Sequence, residues 1–157
     1  MPADTPSPDT SRLEALYQET ILEHNRRPRN FRAIEHASGH AEGRNPLCGD
    51  HVSVWVRLDG DHIAEATFQG QGCAIAKASA SLMTAAVTGK TRAEADVIFE
   101  HFHAMVTGKE QADPSLGSLK VLGGVSKFPI RVKCATLAWH AMRAALEGAP
   151  DVPVSTE

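Results

Sequence analysis

The hydrophobic period changes twice along the chain, and each change marks a boundary between kinds of element. Leu13, Leu16, Tyr17, Ile21 and His24 recur at helical spacing behind Ser11, and Glu14 completes a capping box with it. The pattern predicts a helix that starts at Ser11 and stops before Pro28. From about Ala37 the period is two: Val52, Val54, Val56 and Leu58 alternate with Ser53, Trp55 and Arg57. Asp59-Gly60 then turns the chain into a second run, His62 to Phe68, which makes a hairpin, and Gly39 to Arg44 supplies a third antiparallel strand.

After Gly70-Gln71-Gly72 the helical period returns. Ile75, Ser79, Leu82, Met83 and Ala86 share a face, with Gly89 as the stop. Thr91 and Glu94 open another helix through a capping box, striped by Ala95, Ile98, Phe99, Phe102 and Val106 and closed by Gly108. Lys109 to Ser126, punctuated by Asp113-Pro114, Gly117 and Gly123-Gly124, reads as loop. Pro129 starts a last helix that carries Leu137, Ala141 and Leu146 and ends at Gly148. Strands first and helices afterwards define an α+β fold, a small three-stranded antiparallel sheet with helices packed on it. It is expected to occupy residues 11–148 as a single domain, between a disordered tail, 1–10, with three prolines and a flexible tail, 149–157.

Composition narrows the function classes. A length of 157 residues suits one domain, and 42% hydrophobic with 22% charged residues excludes a disordered or collagen-like chain. Sixteen basic against 19 acidic residues, net −3, leaves no electrostatic footprint for nucleic acid. No apolar run approaches the roughly 18 residues of a membrane span, and MPADTPSPDTS lacks the basic start and apolar core of a secretory signal. The expectation is a cytoplasmic protein with neither a nucleic-acid nor a membrane partner.

In a reducing compartment, three cysteines, Cys48, Cys73 and Cys134, point away from disulfides and towards metal or redox chemistry. Three buried thiols acting as small hydrophobes are the plain alternative. Cys48 and Asp50 stand in the turn-rich Asn45-Pro46-Leu47-Cys48-Gly49-Asp50, Cys73 at a strand-to-helix junction, and Cys134 in the opening turns of the last helix. Element ends can converge on one rim of a sheet, and helix N-termini favour thiolates. Three thiolates and the Asp50 carboxylate would make a tetrahedral zinc set. His51 competes for the fourth place, although strand alternation turns it away from Asp50. His24 belongs at the core edge, and the remaining histidines follow no ligand spacing. Three other readings stay open. Gly70-Gln71-Gly72-Cys73 loosely resembles a phosphate-binding turn, a thiol could serve a Cys/His hydrolase, and Lys127, Arg131 and Lys133 form a solvated face able to meet an acidic partner.

Five stretches carry a family resemblance: Leu16-Tyr17 through Ile21-Leu22-Glu23-His24 to Pro28-Arg29-Asn30; Asn45 to Asp50; Phe68-Gln69-Gly70-Gln71-Gly72-Cys73-Ala74-Ile75; Ala78 to Met83; and Phe128-Pro129-Ile130-Arg131-Val132-Lys133-Cys134-Ala135. From about Leu16 to Leu146 the chain resembles the NifU N-terminal, or IscU-like, family of iron–sulfur cluster assembly proteins. That family's fold, a SufE/NifU-like antiparallel sheet with helices, agrees with the pattern above. Two departures from the IscU pattern resemble the SufU branch: a longer stretch between Cys73 and Cys134, and Lys133 where the IscU scaffolds have histidine.

The resemblance implies zinc held by Cys48, Asp50, Cys73 and Cys134. It implies a zinc-dependent sulfurtransferase that takes persulfide sulfur from a SufS-type, pyridoxal-phosphate cysteine desulfurase and relays it towards a downstream iron–sulfur assembly scaffold. Cys48, on a loop between a proline and a glycine, is cheaper to move than a helical cysteine and is the expected acceptor. Two alternatives remain: a scaffold that itself assembles and transfers a [2Fe–2S] cluster, with iron or the cluster in place of zinc, and a purely structural zinc module.

Overall fold

The computed structural model of the chain describes residues 8–46, 49–148 and 154–155. Helix α1, Pro8–Arg26, is followed by strands β1, Gly39–Asn45, β2, Asp50–Asp59, and β3, His62–Gln71. Helices α2, Ala74–Val87, and α3, Arg92–Val106, precede a 3-10 segment, Pro114–Lys127, and helix α4, Pro129–Leu146. The three long strands form the expected antiparallel sheet. Ala41 of β1 pairs with Val54 of β2, and Val54 in turn with Phe68 of β3, so alternate residues of each strand face one buried side. A two-residue strand β4, Val154–Ser155, adds a parallel edge beside β1 at Gly43 and Arg44, inside the stretch expected to be a flexible tail. The rest of that tail, and residues 1–7 of the tail expected to be disordered, lie outside the described residues.

Helices α2 and α4 cover the buried face of the sheet, α4 against β1 and β2 and α2 against β3. Helix α1 packs on α2, while α3 and the 3-10 segment close the far side. The helical period predicts a single apolar face for α2, but its residues from Ala78 to Thr84 are all buried. The reason is composition: alanine and serine let α1, β3 and α4 approach from several sides. The serines are then paired, not orphaned. Ser81 Oγ meets His24 Nδ1 at 2.6 Å and accepts the Arg29 backbone N–H at 2.8 Å. Ser79 donates to the Ala135 carbonyl at 2.5 Å and accepts the Trp139 indole N–H at 3.1 Å, which fastens α2 to α4. Trp139 stacks on Phe102 with ring centroids 4.5 Å apart at the centre of the helical layer.

Three expectations need correction. Helix α1 begins at Pro8, so Ser11 lies inside it and not at its cap; proline, with φ preset, is suited to the first helical turn. Leu16 is exposed, because that side of α1 looks onto an open groove across from Val121 and Lys120. The segment read as loop is largely helical of the 3-10 kind. Leu116, Leu119, Leu122 and Val125, all buried, recur every third residue, which is the period of a 3-10 helix and eclipses their side chains on one face. A kink at Gly117 (φ 55°, ψ −126°) breaks the segment near its start. The capping box of α3 is present as expected, with Thr91 and Glu94 bonded reciprocally at 3.1 and 3.0 Å. Among the described residues no helix is long and apolar enough to cross a membrane.

Ser79→Ala leaves the Trp139 indole N–H buried without its acceptor. The expected loss of unfolding free energy is about 1–3 kcal/mol, measured by urea denaturation at unchanged m-value; a loss within experimental error would mean that the helices need no such fastening.

Candidate metal centre

Strand β2 opens with Asp50, whose side chain points to the buried side of the sheet and is only 2% exposed. A buried carboxylate needs hydrogen-bond donors, and the start of α2 supplies one. The Cys73 backbone N–H donates to Asp50 Oδ1 at 2.8 Å, which leaves Oδ2 turned towards Cys73 Sγ, 3.8 Å away. Cys73 is the N-cap of α2 and its sulfur accepts the Ala76 N–H at 3.4 Å. One residue therefore supplies both the donor that orients the carboxylate and the thiol that faces it.

The approach is close enough to fix the residues between strand and helix. A Cβ built on Gly72 would stand 2.5 Å from Asp50 Oδ1 and 3.0 Å from its Cγ. At Gly70 a Cβ would collide with the His51 carbonyl oxygen. The sequence marks these glycines as turn residues, but neither backbone is left-handed; they are glycine for want of space. Gly70 lies within β3, which runs through the expected turn as far as Gln71.

Cys134 comes from the second turn of α4 and is 3% exposed. It meets the other two because α4 lies across β1 and β2 and is tied to α2 through Ser79. Donor atoms of Asp50, Cys73 and Cys134 all lie within 4.8 Å of one another, the one such group of three among the described residues. Cys48, expected as the fourth member, lies outside the described residues. Of the described residues on either side of it, Asn45 pairs with Asp50, and the Gly49 N–H donates to the Asn45 carbonyl at 2.8 Å. His51 faces the other side of the sheet, its Nε2 3.7 Å from Glu42 Oε1.

The electrostatics of the group are opposed. Hydrogen bonding with Cys134 pulls the Cys73 thiol down most strongly; burial pushes it up, the Ala76 N–H pulls it down, and the Asp50 charge pushes it up. The balance leaves Cys73 at about 7, against an ordinary value of 9.0. Two thiols and a carboxylate crowded on a half-buried rim form a strong demand for a cation. Ser79 and Gly72, which hold this geometry, were not singled out as site residues by sequence reasoning; the only signals were a serine on an apolar helical face and a glycine next to a cysteine.

A small antiparallel sheet with a thiol and carboxylate cluster at one rim, covered by α2 and α4, defines an α+β domain with a candidate metal centre. The chain matches the model of the NifU-like N terminal domain over residues 16–148 and belongs to that family. It is 44% identical over 131 residues to the zinc-dependent sulfurtransferase SufU of Bacillus subtilis, covering 83% of this chain and 88% of that one. It is 41% identical over 138 residues to the iron–sulfur cluster assembly scaffold protein IscU of Streptococcus pyogenes, covering 87% and 86%. Among solved structures, FiSufU of Fervidobacterium islandicum, described as an iron–sulfur cluster assembly scaffold protein for the SUF system, superposes with a TM-score of 0.79 at 35% identity, over 85% of this chain and 98% of that one.

Because the Cys73 thiol is lowered, its reactive thiolate persists as pH falls and is lost only through about pH 7. In chelator-treated protein, iodoacetamide labelling of Cys73, followed by peptide mass spectrometry, should reach half its maximal rate near that pH. A midpoint at about 8.5 or above, the value of an unperturbed thiol, would remove the interactions argued here.

Proposed function

We propose that the protein is a zinc-dependent sulfurtransferase of the SufU type, which accepts persulfide sulfur from a SufS-type cysteine desulfurase and relays it to an iron–sulfur assembly scaffold. The observation that supports this most is the convergence of Asp50, Cys73 and Cys134. Sulfur and oxygen ligands of a tetrahedral zinc ion, at about 2.3 and 2.1 Å, stand about 3.6 Å apart. The 3.8 Å between Cys73 Sγ and Asp50 Oδ2 fits that spacing without rearrangement. The donor set also suits zinc, with thiolates and one carboxylate and, beside Cys134, Lys133, whose ammonium offers no lone pair. Zinc would be held by these three residues together with Cys48, and when bound it keeps thiols deprotonated and shields them from oxidation.

The chain's own residues account for the transfer. The Cys48 thiolate attacks the outer sulfur of the donor's persulfide. A sulfur–sulfur bond forms on Cys48 as the donor's own sulfur–sulfur bond breaks, and the donor cysteine leaves as a thiolate. The sulfane sulfur moves with its proton, so no external oxidant or reductant is consumed. Asp50, fixed by the Cys73 N–H, and the two helical cysteines keep the rim in place while Cys48 carries the cargo. The similarity to an IscU scaffold supports a second reading, cluster assembly on the same thiols; Lys133 weighs against it, since the IscU-type histidine able to ligate iron is missing.

Anaerobically purified protein should carry one zinc per chain, and Cys73→Ser or Cys134→Ser should lower metal content and melting temperature together. With a SufS-type desulfurase and reductant, the native protein should accelerate sulfide release. Cys48→Ala should reduce that stimulation by about tenfold or more and leave no persulfide on the protein by mass spectrometry. Iron in place of zinc, with desulfurase turnover unchanged, would overturn the proposal.

A further inference from the structure

His24 on α1 is only 8% exposed, and one of its two ring nitrogens is engaged. Its Nδ1 stands 2.6 Å from Ser81 Oγ, an oxygen that already accepts the Arg29 backbone N–H at 2.8 Å. The Ser81 hydroxyl proton has no other acceptor among the described residues, so it goes to Nδ1 and the ring proton sits on Nε2. Burial, and after it the Arg29 charge, lower the imidazole below its ordinary value against the opposing pull of Glu23, which keeps the ring neutral at neutral pH. Nε2–H is thus a donor on a buried side chain with no partner among the described residues. Its acceptor has to come from the space beside it, water in the free protein and a ligand oxygen when one is bound.

That space is a cleft of about 500 Å³ bounded by α1, α2 and the 3-10 segment, a volume within the range of small-molecule sites. Its charged lining is Arg29 and Lys90, with no carboxylate. Arg29 meets only Glu23, at 4.0 Å between exposed side chains, and Lys90 is in no salt bridge among the described residues, although its charge helps to lower the Glu94 carboxyl. Thr88 and Ser115 direct their hydroxyl protons to the Thr84 carbonyl and the Asp113 carboxylate, whereas the Ser118 hydroxyl is uncommitted among the described residues. Ser118 also follows the kink at Gly117, so the N–H groups where the helical run restarts have no helical partner. Much of the remaining lining is apolar, with Leu82, Ala86, Ile98 and Leu116. None of these residues belongs to the metal centre, and Ser81 lies more than two helical turns along α2 from Cys73.

We propose that this cleft binds a small organic anion, a carboxylate or phosphate monoester carried on an apolar body. The anion's oxygens accept the His24 Nε2–H and the Ser118 hydroxyl between the charges of Arg29 and Lys90, and the body covers Ala86 and Ile98. A bare inorganic anion leaves the apolar lining uncovered, and a neutral apolar molecule leaves the donors and cations unmatched. The site is independent of the sulfur-transfer reading, whose residues take no part in it.

The test titrates the full-length protein with phenyl phosphate, benzoate, inorganic phosphate and benzyl alcohol, following proton–nitrogen NMR signals of the His24 ring and the Ser118 amide. At least one of the two organic anions should shift both signals saturably, with affinity about tenfold or more above that of inorganic phosphate and of benzyl alcohol. The preference between phenyl phosphate and benzoate identifies the headgroup. Lys90→Gln and Arg29→Gln, each shown by melting temperature to be folded, should weaken binding about fivefold or more, while Arg57→Gln, which removes an exposed cation of β2, leaves it unchanged. His24→Phe, which keeps a ring and removes the donor, should weaken it as much; if that variant does not fold, the two cation variants decide. The proposal is overturned by the absence of saturable shifts with either organic anion up to about 10 mM, by shifts confined to residues around Cys73 and Cys134, by equal affinity for inorganic phosphate or benzyl alcohol, or by binding that Lys90→Gln and Arg29→Gln leave unchanged.

Discussion

The hydrogen bond from the Cys73 backbone N–H to Asp50 Oδ1 is the constraint on which the site depends. An almost fully buried carboxylate is costly unless donors surround it, and the first turn of a helix offers unpaired N–H groups and a favourable dipole. Satisfying Asp50 in this way pins the beginning of β2 to the beginning of α2. It brings the chain so close that positions 70 and 72 admit no side chain. It also sets Cys73 as the N-cap, with its sulfur turned to the second carboxylate oxygen.

The third donor comes from a separate packing decision. Helix α4 is laid across the sheet by apolar burial, but its position against α2 is fixed by a polar contact, with Ser79 between the Ala135 carbonyl and the Trp139 indole. Cys134 is adjacent to Ala135, so the bond that docks the helices also fixes the height of the thiol. Long sequence separation between donors is thus compatible with a tight cluster, since each donor sits at the end or near the start of a rigid element. Rigid support of this kind is what a ligand set needs to hold its geometry while one member exchanges.

Much of this was legible in the sequence because the relevant signals are local. Alternation in Val52 to Leu58, the Asp59-Gly60 turn and the Thr91/Glu94 capping box each specify their element without help from the rest of the chain. The three donors could be named because cysteines at element ends, and an aspartate two residues after Cys48 in the sequence, are chemically distinctive. The missed features are of another kind. A three-residue period, Leu116 to Val125, among glycines looks like loop to any test for a period of two or 3.6. The all-round burial of α2 depends on three neighbours distant in sequence. Gly72 and Ser79 are ordinary residues whose importance comes only from what stands opposite them.

The proposed function stands or falls on whether the rim built by Asp50, Cys73 and Cys134, completed by Cys48, binds zinc. Zinc K-edge X-ray absorption on the purified protein measures that shell directly. Three sulfur ligands at about 2.3 Å and one oxygen at about 2.0–2.2 Å are expected, with one sulfur lost in Cys48→Ser. A protein without stoichiometric zinc, or a zinc shell made only of nitrogen and oxygen, would contradict it.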